Sequence, residues 1–353
     1  GPLGRDWPPG RAARTTNLER HNLPVIRPMR WEDGVLHLLD QREIPEREVW
    51  LELRTWQEVR DAIRDMAVRG APAIGAAAAY GMVLAALGNS DRSEARAGLA
   101  ASRPTAVNLF WALDRMDEVQ LWTSEAALAK AQAIELAEVD SNARMASLAS
   151  SIGKPGCRVL TICNTGALAT PGVGTALGVI RELRRLGWLE RVYSCETRPR
   201  QQGLKLTAWE LHKEGIPFRS IVDSAAASLM AQGQVDFVVA GADRIVANGD
   251  SANKIGTYML AVLAQHHGLP FYIVAPSSTV DPALQTGAQI EIEEREASEI
   301  TGGLPFPVWN PGFDVTPGGL ITGIVTERGL YRAPYDFAAP KEPDIVPTGD
   351  YPA

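Results

Sequence analysis

The segment LTICNTGALATPGVGTALG, residues 160–178, sets a thiol, Cys163, at the end of an apolar run and directly before a glycine-rich loop. A cysteine placed there has five uses: metal ligand, half of a disulfide, nucleophile, acid–base group or small apolar filler. With Cys157 and Cys195 it makes an odd set without a CxxC pair. That pattern fits a reducing cytoplasm and weakens the disulfide and structural-zinc readings. A second reactive group is Asp243, which ends the apolar stretch VVAGAD. Burial there raises a carboxyl's hold on its proton and keeps it as a donor, unless Asp243 simply pairs with Arg244. Further on, Asn253 and Lys254 are expected to open a helix, a fitting place for a phosphate or a sugar hydroxyl. Asp250, before them, reads equally well as a turn cap.

Cations occur beside these groups in three short motifs. ETRPRQQG supplies Arg198, Arg200 and Gln202 just past a predicted strand end, where arginine suits a planar or tetrahedral oxyanion. VRGAP supplies Arg69, and SRPTAVN supplies Arg103 immediately before a proline. Taken singly, these read as loop arginines, or for Arg69 as a cationic helix C-cap.

Other chemistries lack their spacing. NTGALATPGVGT leads into a helix N-terminus, which favours an anion. It is not a dinucleotide fingerprint, since Leu177 stands where the third glycine belongs after Gly172 and Gly174. No Gly-Lys-Ser/Thr, HExxH or GxSxG occurs, and NGDSAN lacks the EF-hand spacing and its final glutamate. The five histidines show no ligand pattern.

The elements that must position these groups fall into two kinds. Residues 24–54 alternate and are cut by EDG and REIP, predicting a short antiparallel meander. TWQEVRDAIRDMAVRG follows with Thr55 and Glu58 as a capping box, Trp56, Val59, Ile63 and Met66 on one face, and Gly70 placed to stop the helix. GAPAIGAAAAYGMVLAALGNS, residues 70–90, is Ala/Gly-rich and reads as a buried helix rather than a membrane span. A long Ala-rich helix runs from about Ser124 to Ile152. From Arg158 the pattern becomes β-branched runs (RVLTICN, RVYSCET, FRSIVD, VDFVVAGAD, FYIVAP) alternating with helices. Strands apolar on both faces and joined by helices predict a covered parallel sheet, with ligands beyond the strands' carboxyl ends. Cys163–Asn164, Glu196–Thr197–Arg198, Asp223 and Asp243 would meet there.

At 353 residues two domains are expected. We divide the chain into an N-terminal extension (1–23, whose GPLG start reads as a cloning scar), a mainly helical domain with the meander (24–123), a connecting helix (124–153), a Rossmann-like domain (154–340) and a tail (341–353). A net charge of −7 without a basic stripe argues against a nucleic-acid surface and leaves room for a small anionic substrate.

Seven segments, in order from about residue 28 to 330, resemble one family, the 5-methylthioribose-1-phosphate isomerases of methionine salvage. They are MRWEDGVLHLLDQREIP, VRGAPAIGAAAAYG, SRPTAVNLFWAL, TICNTGALAT, ETRPRQQG, GADRIVANGDSANKIGT and FDVTPGGLITGIVTERG. The resemblance implies aldose–ketose isomerisation of a 1-phosphate sugar without cofactor or metal. It makes Asp243 the proton donor and gives Cys163 transition-state stabilisation or proton transfer. It assigns substrate binding to Arg69, Gly70, Ala71, Arg103, Gln202, Asn253 and Lys254, which places the site in an interdomain cleft. A cytoplasmic homodimer is implied as well. Related readings are isomerases of 5-deoxyribose 1-phosphate or ribose 1,5-bisphosphate, and the non-enzymatic regulatory subunit of the translation-initiation nucleotide-exchange factor. A dehydrogenase is the third class. A bisphosphate needs a second cationic pocket, whereas a methylthio group needs an apolar one.

Overall fold

The computed structural model describes residues 26–104 and 106–338; the expected N-terminal extension and tail lie outside the described residues. The meander forms as a three-stranded antiparallel sheet of β1 (Met29–Glu32), β2 (Val35–Leu39) and β3 (Trp50–Leu53). Helix α1 (Trp56–Arg64) opens with the anticipated capping box, in which the Glu58 N–H donates to Thr55 Oγ1 and Glu58 accepts from the Thr55 N–H.

Gly70 does not end that helix. The stop comes at Met66, whose φ of 63° turns the chain, and Ala67 N–H closes back on the Ala62 carbonyl. Gly70, at φ 91°, instead caps the start of α2 (Ala71–Leu87). A Cβ there would lie 2.4 Å from Ala169 Cα, so only glycine lets the two backbones meet. In α2, 14 of 17 residues are buried, and its small side chains pack against α3 (Arg92–Ala101), α4 (Val107–Asp117) and α5 (Ser124–Ser147). These helices share one apolar cluster with the meander. After α5 a break at Leu148 leads into the single turn α6 (Ala149–Ile152). No helix among the described residues is long and apolar enough to cross a membrane.

The second half contains β4 (Cys157–Thr161), α7 (Ala176–Arg185), β5 (Leu189–Cys195), α8 (Ala208–Lys213), β6 (Phe218–Ile221), α9 (Ala226–Ala231) and β7 (Phe237–Ala240). These are followed by β8 (Arg244–Val246), β9 (Ser251–Lys254), α10 (Thr257–His266), β10 (Phe271–Val274), β11 (Val280–Asp281), α11 (Ser298–Thr301), β12 (Phe313–Thr316), β13 (Gly323–Thr326) and β14 (Gly329–Tyr331). Seven strands pair in the order β14-β13-β10-β7-β4-β5-β6, parallel except for the edge strand β14. Alternate residues feed opposite faces: Val159, Val192 and Val239 pack under α7, and Leu160, Tyr193 and Val238 pack under α9 and α10.

The sequence pattern does not reveal the third sheet, β11-β8-β9-β12. It also corrects the expected start of α10. Asn253 and Lys254 end β9, paired antiparallel with β12, and the helix begins only at Thr257 after a left-handed Gly256.

Candidate functional site

In the parallel sheet β4 is flanked by β5 and β7, so the crossover direction reverses between β4 and β7. Doubly wound sheets bind ligands beyond the strand ends at that reversal. Cys163 lies two residues past β4 and Asp243 three past β7. A cavity of about 280 Å³ opens there. Its lining includes all nine predicted site residues: Cys163, Asp243, Arg69, Gly70, Ala71, Arg103, Gln202, Asn253 and Lys254.

The N-terminal wall is the start of α2. That helix begins without a side-chain cap or any acidic residue in its first turn, leaving its positive end directed at the cavity beside Arg69. Two neighbouring sets of N–H groups that could attract anions, at the start of α10 and in the tight turn Ala167–Ala169, are already filled by the chain itself. Asp314 accepts from the Gly256 and Tyr258 N–H groups at 2.8 and 3.1 Å and caps α10. Glu210, fully buried, accepts from the Ala167 and Leu168 N–H groups at 2.8 and 3.1 Å and is paired with Arg181 at 2.6 Å. The helix end expected at Asn253–Lys254 is therefore closed, and the one at Gly70–Ala71 is open.

Charge is concentrated and desolvated. Arg69, Arg103, Arg200, Arg244, Lys254 and Arg295 line the cavity against Asp243, Glu291 and Glu293. Burial, reinforced by Arg200 and Arg103, lowers the Arg69 guanidinium to about 10. Burial likewise lowers Arg103 and Lys254, although Cys163 and Asp243 favour the charged Lys254. Burial raises Asp243 above the usual carboxyl range against the pull of Lys254 and Arg103. Burial raises the Cys163 thiol too, against the opposing pull of Lys254, so both groups keep their protons more tightly. Arg69 Nε, Arg200 Nε and Gln202 Oε1 are buried without a protein hydrogen-bond partner.

The lesser positions separate. Arg200 joins the cavity and pairs with Glu299 at 2.7 Å, whereas the Arg198 guanidinium turns outward to the Pro199 carbonyl. Asp250 accepts from Gly287 and Gly318 N–H, each at 2.8 Å, and organises turns as the simpler reading had it. The Lys254 Nζ lies 4.0 Å from the centroid of Phe313, its partner across β9 and β12. Among the described residues no group of three or more His, Cys, Asp or Glu is arranged to hold a metal ion.

Sequence reasoning missed the wall formed by Ile290, Glu291, Ile292, Glu293 and Arg295. That stretch, IEIEER, is irregular and carries no motif. It adds apolar surface facing Met66, Pro72 and Ile74 from the N-terminal side.

Comparison with known proteins agrees with this architecture. A methylthioribose-1-phosphate isomerase of Pelotomaculum thermopropionicum is 52% identical over 333 residues, spanning 87% of this chain and 92% of its own length. The crystal structure of 5-methylthioribose 1-phosphate isomerase from Pyrococcus horikoshii superposes with a TM-score of 0.83 at 41% identity, over 91% of this chain and 96% of that one. A structure described as translation initiation factor eIF-2B subunit delta from A. fulgidus matches at TM-score 0.77 and 41% identity, covering 88% of this chain and 97% of that one. Residues 67–333 match the Initiation factor 2 subunit family. The chain belongs to that family and, within it, to the methylthioribose-1-phosphate isomerases.

Proposed function

We infer that this chain is an aldose–ketose isomerase that converts 5-methylthioribose 1-phosphate to 5-methylthioribulose 1-phosphate. The observation that carries the reading is the cavity at the sheet's reversal point, lined by a desolvated carboxyl, a thiol and a surplus of cations in a chain 52% identical to such an isomerase.

The chemistry follows from the substrate. Phosphate on C1 blocks spontaneous ring opening, so the ring C–O bond breaks only with acid assistance. Asp243, kept protonated by burial, gives its proton to the ring oxygen as that bond opens. Hydrogen then passes from C2 to C1 with its electron pair, and the resulting Asp243 carboxylate takes the proton from the C2 hydroxyl as the ketone forms. We favour this hydride route because burial raises the Cys163 thiol, which disfavours a thiolate as the base at C2. In this reading Cys163 lies against the migrating hydrogen and shapes its field. Arg69, Arg103, Lys254 and the open end of α2 hold the phosphate and oppose its departure. Gln202 and Asn253 meet the sugar hydroxyls. The apolar wall of Met66, Ile290 and Ile292 suits a methylthio group better than a second phosphate.

The test uses substrate deuterated at C2 and product analysed by NMR. Retention of deuterium at C1 is expected; washout to solvent overturns the hydride route. Asp243→Asn and Cys163→Ser should each lower turnover about 100-fold, and near-native rates in both folded variants refute the assignment. Assays with 5-deoxyribose 1-phosphate and ribose 1,5-bisphosphate separate the related isomerases, and binding to an initiation factor without turnover would favour the regulatory-subunit reading.

We further propose that the protein works as a cytoplasmic homodimer, that its partner is a small sugar phosphate rather than nucleic acid, and that domain limits fall near residues 123/124 and 153/154. Three free thiols support the cytoplasmic reading, and a net charge of −7 supports a small anionic partner over nucleic acid only in the absence of a basic stripe.

A further inference from the structure

Cys163 has a backbone φ of 65°, a left-handed conformation unusual for a residue with a side chain. It lies beyond the last ladder residue of β4, so its peptide groups have no strand partner. Two buried hydroxyls take over. The Cys163 N–H donates to Thr197 Oγ1 at 2.9 Å, and Thr207 Oγ1 donates to the Cys163 carbonyl at 2.6 Å. The Thr197 hydroxyl also donates to the Cys195 carbonyl at 3.1 Å, so both of its roles are used and its direction is fixed.

Thr197 is itself left-handed, at φ 67°, and is held from the next strand end. Asp223, two residues past β6, accepts from the Thr197 N–H at 2.8 Å and from the Arg198 N–H at 2.7 Å. The residue two positions beyond each of β6, β5 and β4 thus links to the next, in the order of the sheet, ending at the backbone of Cys163. A left-handed turn at Cys163 redirects its Cα–Cβ bond relative to an extended continuation of β4, and Cys163 lines the cavity.

We propose that Asp223 and Thr197 are positioning residues for the reaction: they hold Cys163 in the left-handed conformation that presents its sulfur to the substrate. This rests on the reading of Cys163 as a group that contacts the reacting atoms.

The experiment compares Thr197→Val, which keeps shape but removes the hydroxyl, with Thr197→Ser, which keeps the hydroxyl, in native and Cys163→Ala backgrounds. In the native background T197V is expected to lower kcat at least tenfold with KM within twofold, and T197S to stay within threefold of native. In the Cys163→Ala background T197V should cost no further activity, because it acts only through the absent thiol. Alkylation of Cys163 by iodoacetamide, located by mass spectrometry, should accelerate at least fivefold in T197V as the sulfur leaves its fixed position. Native kcat in T197V, an equal loss in T197S, or the same loss without the thiol overturns the proposal. Near-native turnover in Cys163→Ala overturns the catalytic reading of the thiol, and the alkylation rate alone then decides the positioning claim. Should T197V fail to fold, Asp223→Asn, which replaces an accepting oxygen by a donor, carries the same measurements.

Discussion

Glu138, on α5, should weaken the fold as pH rises. Its side chain is buried, and the contact that bonds it is Asn142 Nδ2 at 3.2 Å. Burial first, and then the neighbouring Glu327, raise its carboxyl to about 7 from an ordinary 4.5. Because the folded value is the higher one, the folded state holds the proton more tightly than the unfolded chain. The stabilisation is fully present below about pH 4.5 and is lost progressively as pH rises to about 7. At about 1.4 kcal/mol per tenfold change in proton affinity, the full loss above that range is about 3.5 kcal/mol. Glu138→Gln keeps the shape and an accepting oxygen but never ionises. It should therefore be about 1–3 kcal/mol more stable than the native protein at pH 8 and within about 0.5 kcal/mol of it at pH 4. Urea unfolding at the two pH values measures both numbers. A variant no more stable at pH 8, or one equally favoured at both, would refute the reasoning.

Gly70→Ala should destabilise the fold by at least about 3 kcal/mol, since φ 91° is strained for alanine and the new Cβ would overlap Ala169 backbone; urea midpoints check this. Turnover should fall as pH rises through the burial-raised Asp243 pKa, because the protonated form is the donor, and a kcat/KM profile without an alkaline limb contradicts that role. Thr55→Ala removes the hydroxyl of an exposed capping box and should cost only about 1 kcal/mol in thermal or urea stability, with kcat unchanged.

The parallel sheet and its polar strand ends are legible in the sequence because five apolar runs bounded by turns state their own period. Cys163 and Asp243 stand out for the same reason, each where an apolar run meets a loop. The motif glycine at 70 is legible as punctuation but not in its role. A stop and a start look alike until Met66 is seen to take the left-handed turn. The third sheet escapes because β8, β9 and β11 are two to four residues long and partly polar, and their pairing is set by partners far along the chain. Asp314 and Glu210 are equally hidden. They fill helix-end N–H groups up to 58 residues away, so no local pattern announces that those ends are occupied.

The two walls of the cavity differ in how freely they can change. Arg69 stands two residues before α2, whose side chains are also the centre of the N-terminal core, so its backbone cannot shift far without disturbing that body. The opposite wall, residues 290–295, is irregular chain held by partly buried ion pairs of Arg295 with Glu293 and Glu299 and, at its far end, by backbone hydrogen bonds of Glu293 and Arg295 with Gly312 and Asn310. In the proposed binding mode, grip on the phosphate is therefore inherited with the fold, and preference at the far end of the sugar is open to revision one side chain at a time. A library confined to 290–292, which leaves Glu293 and Arg295 in place, would broaden the accepted C5 substituents while the melting temperature stays put, a division of labour that a site made wholly of loops would not offer.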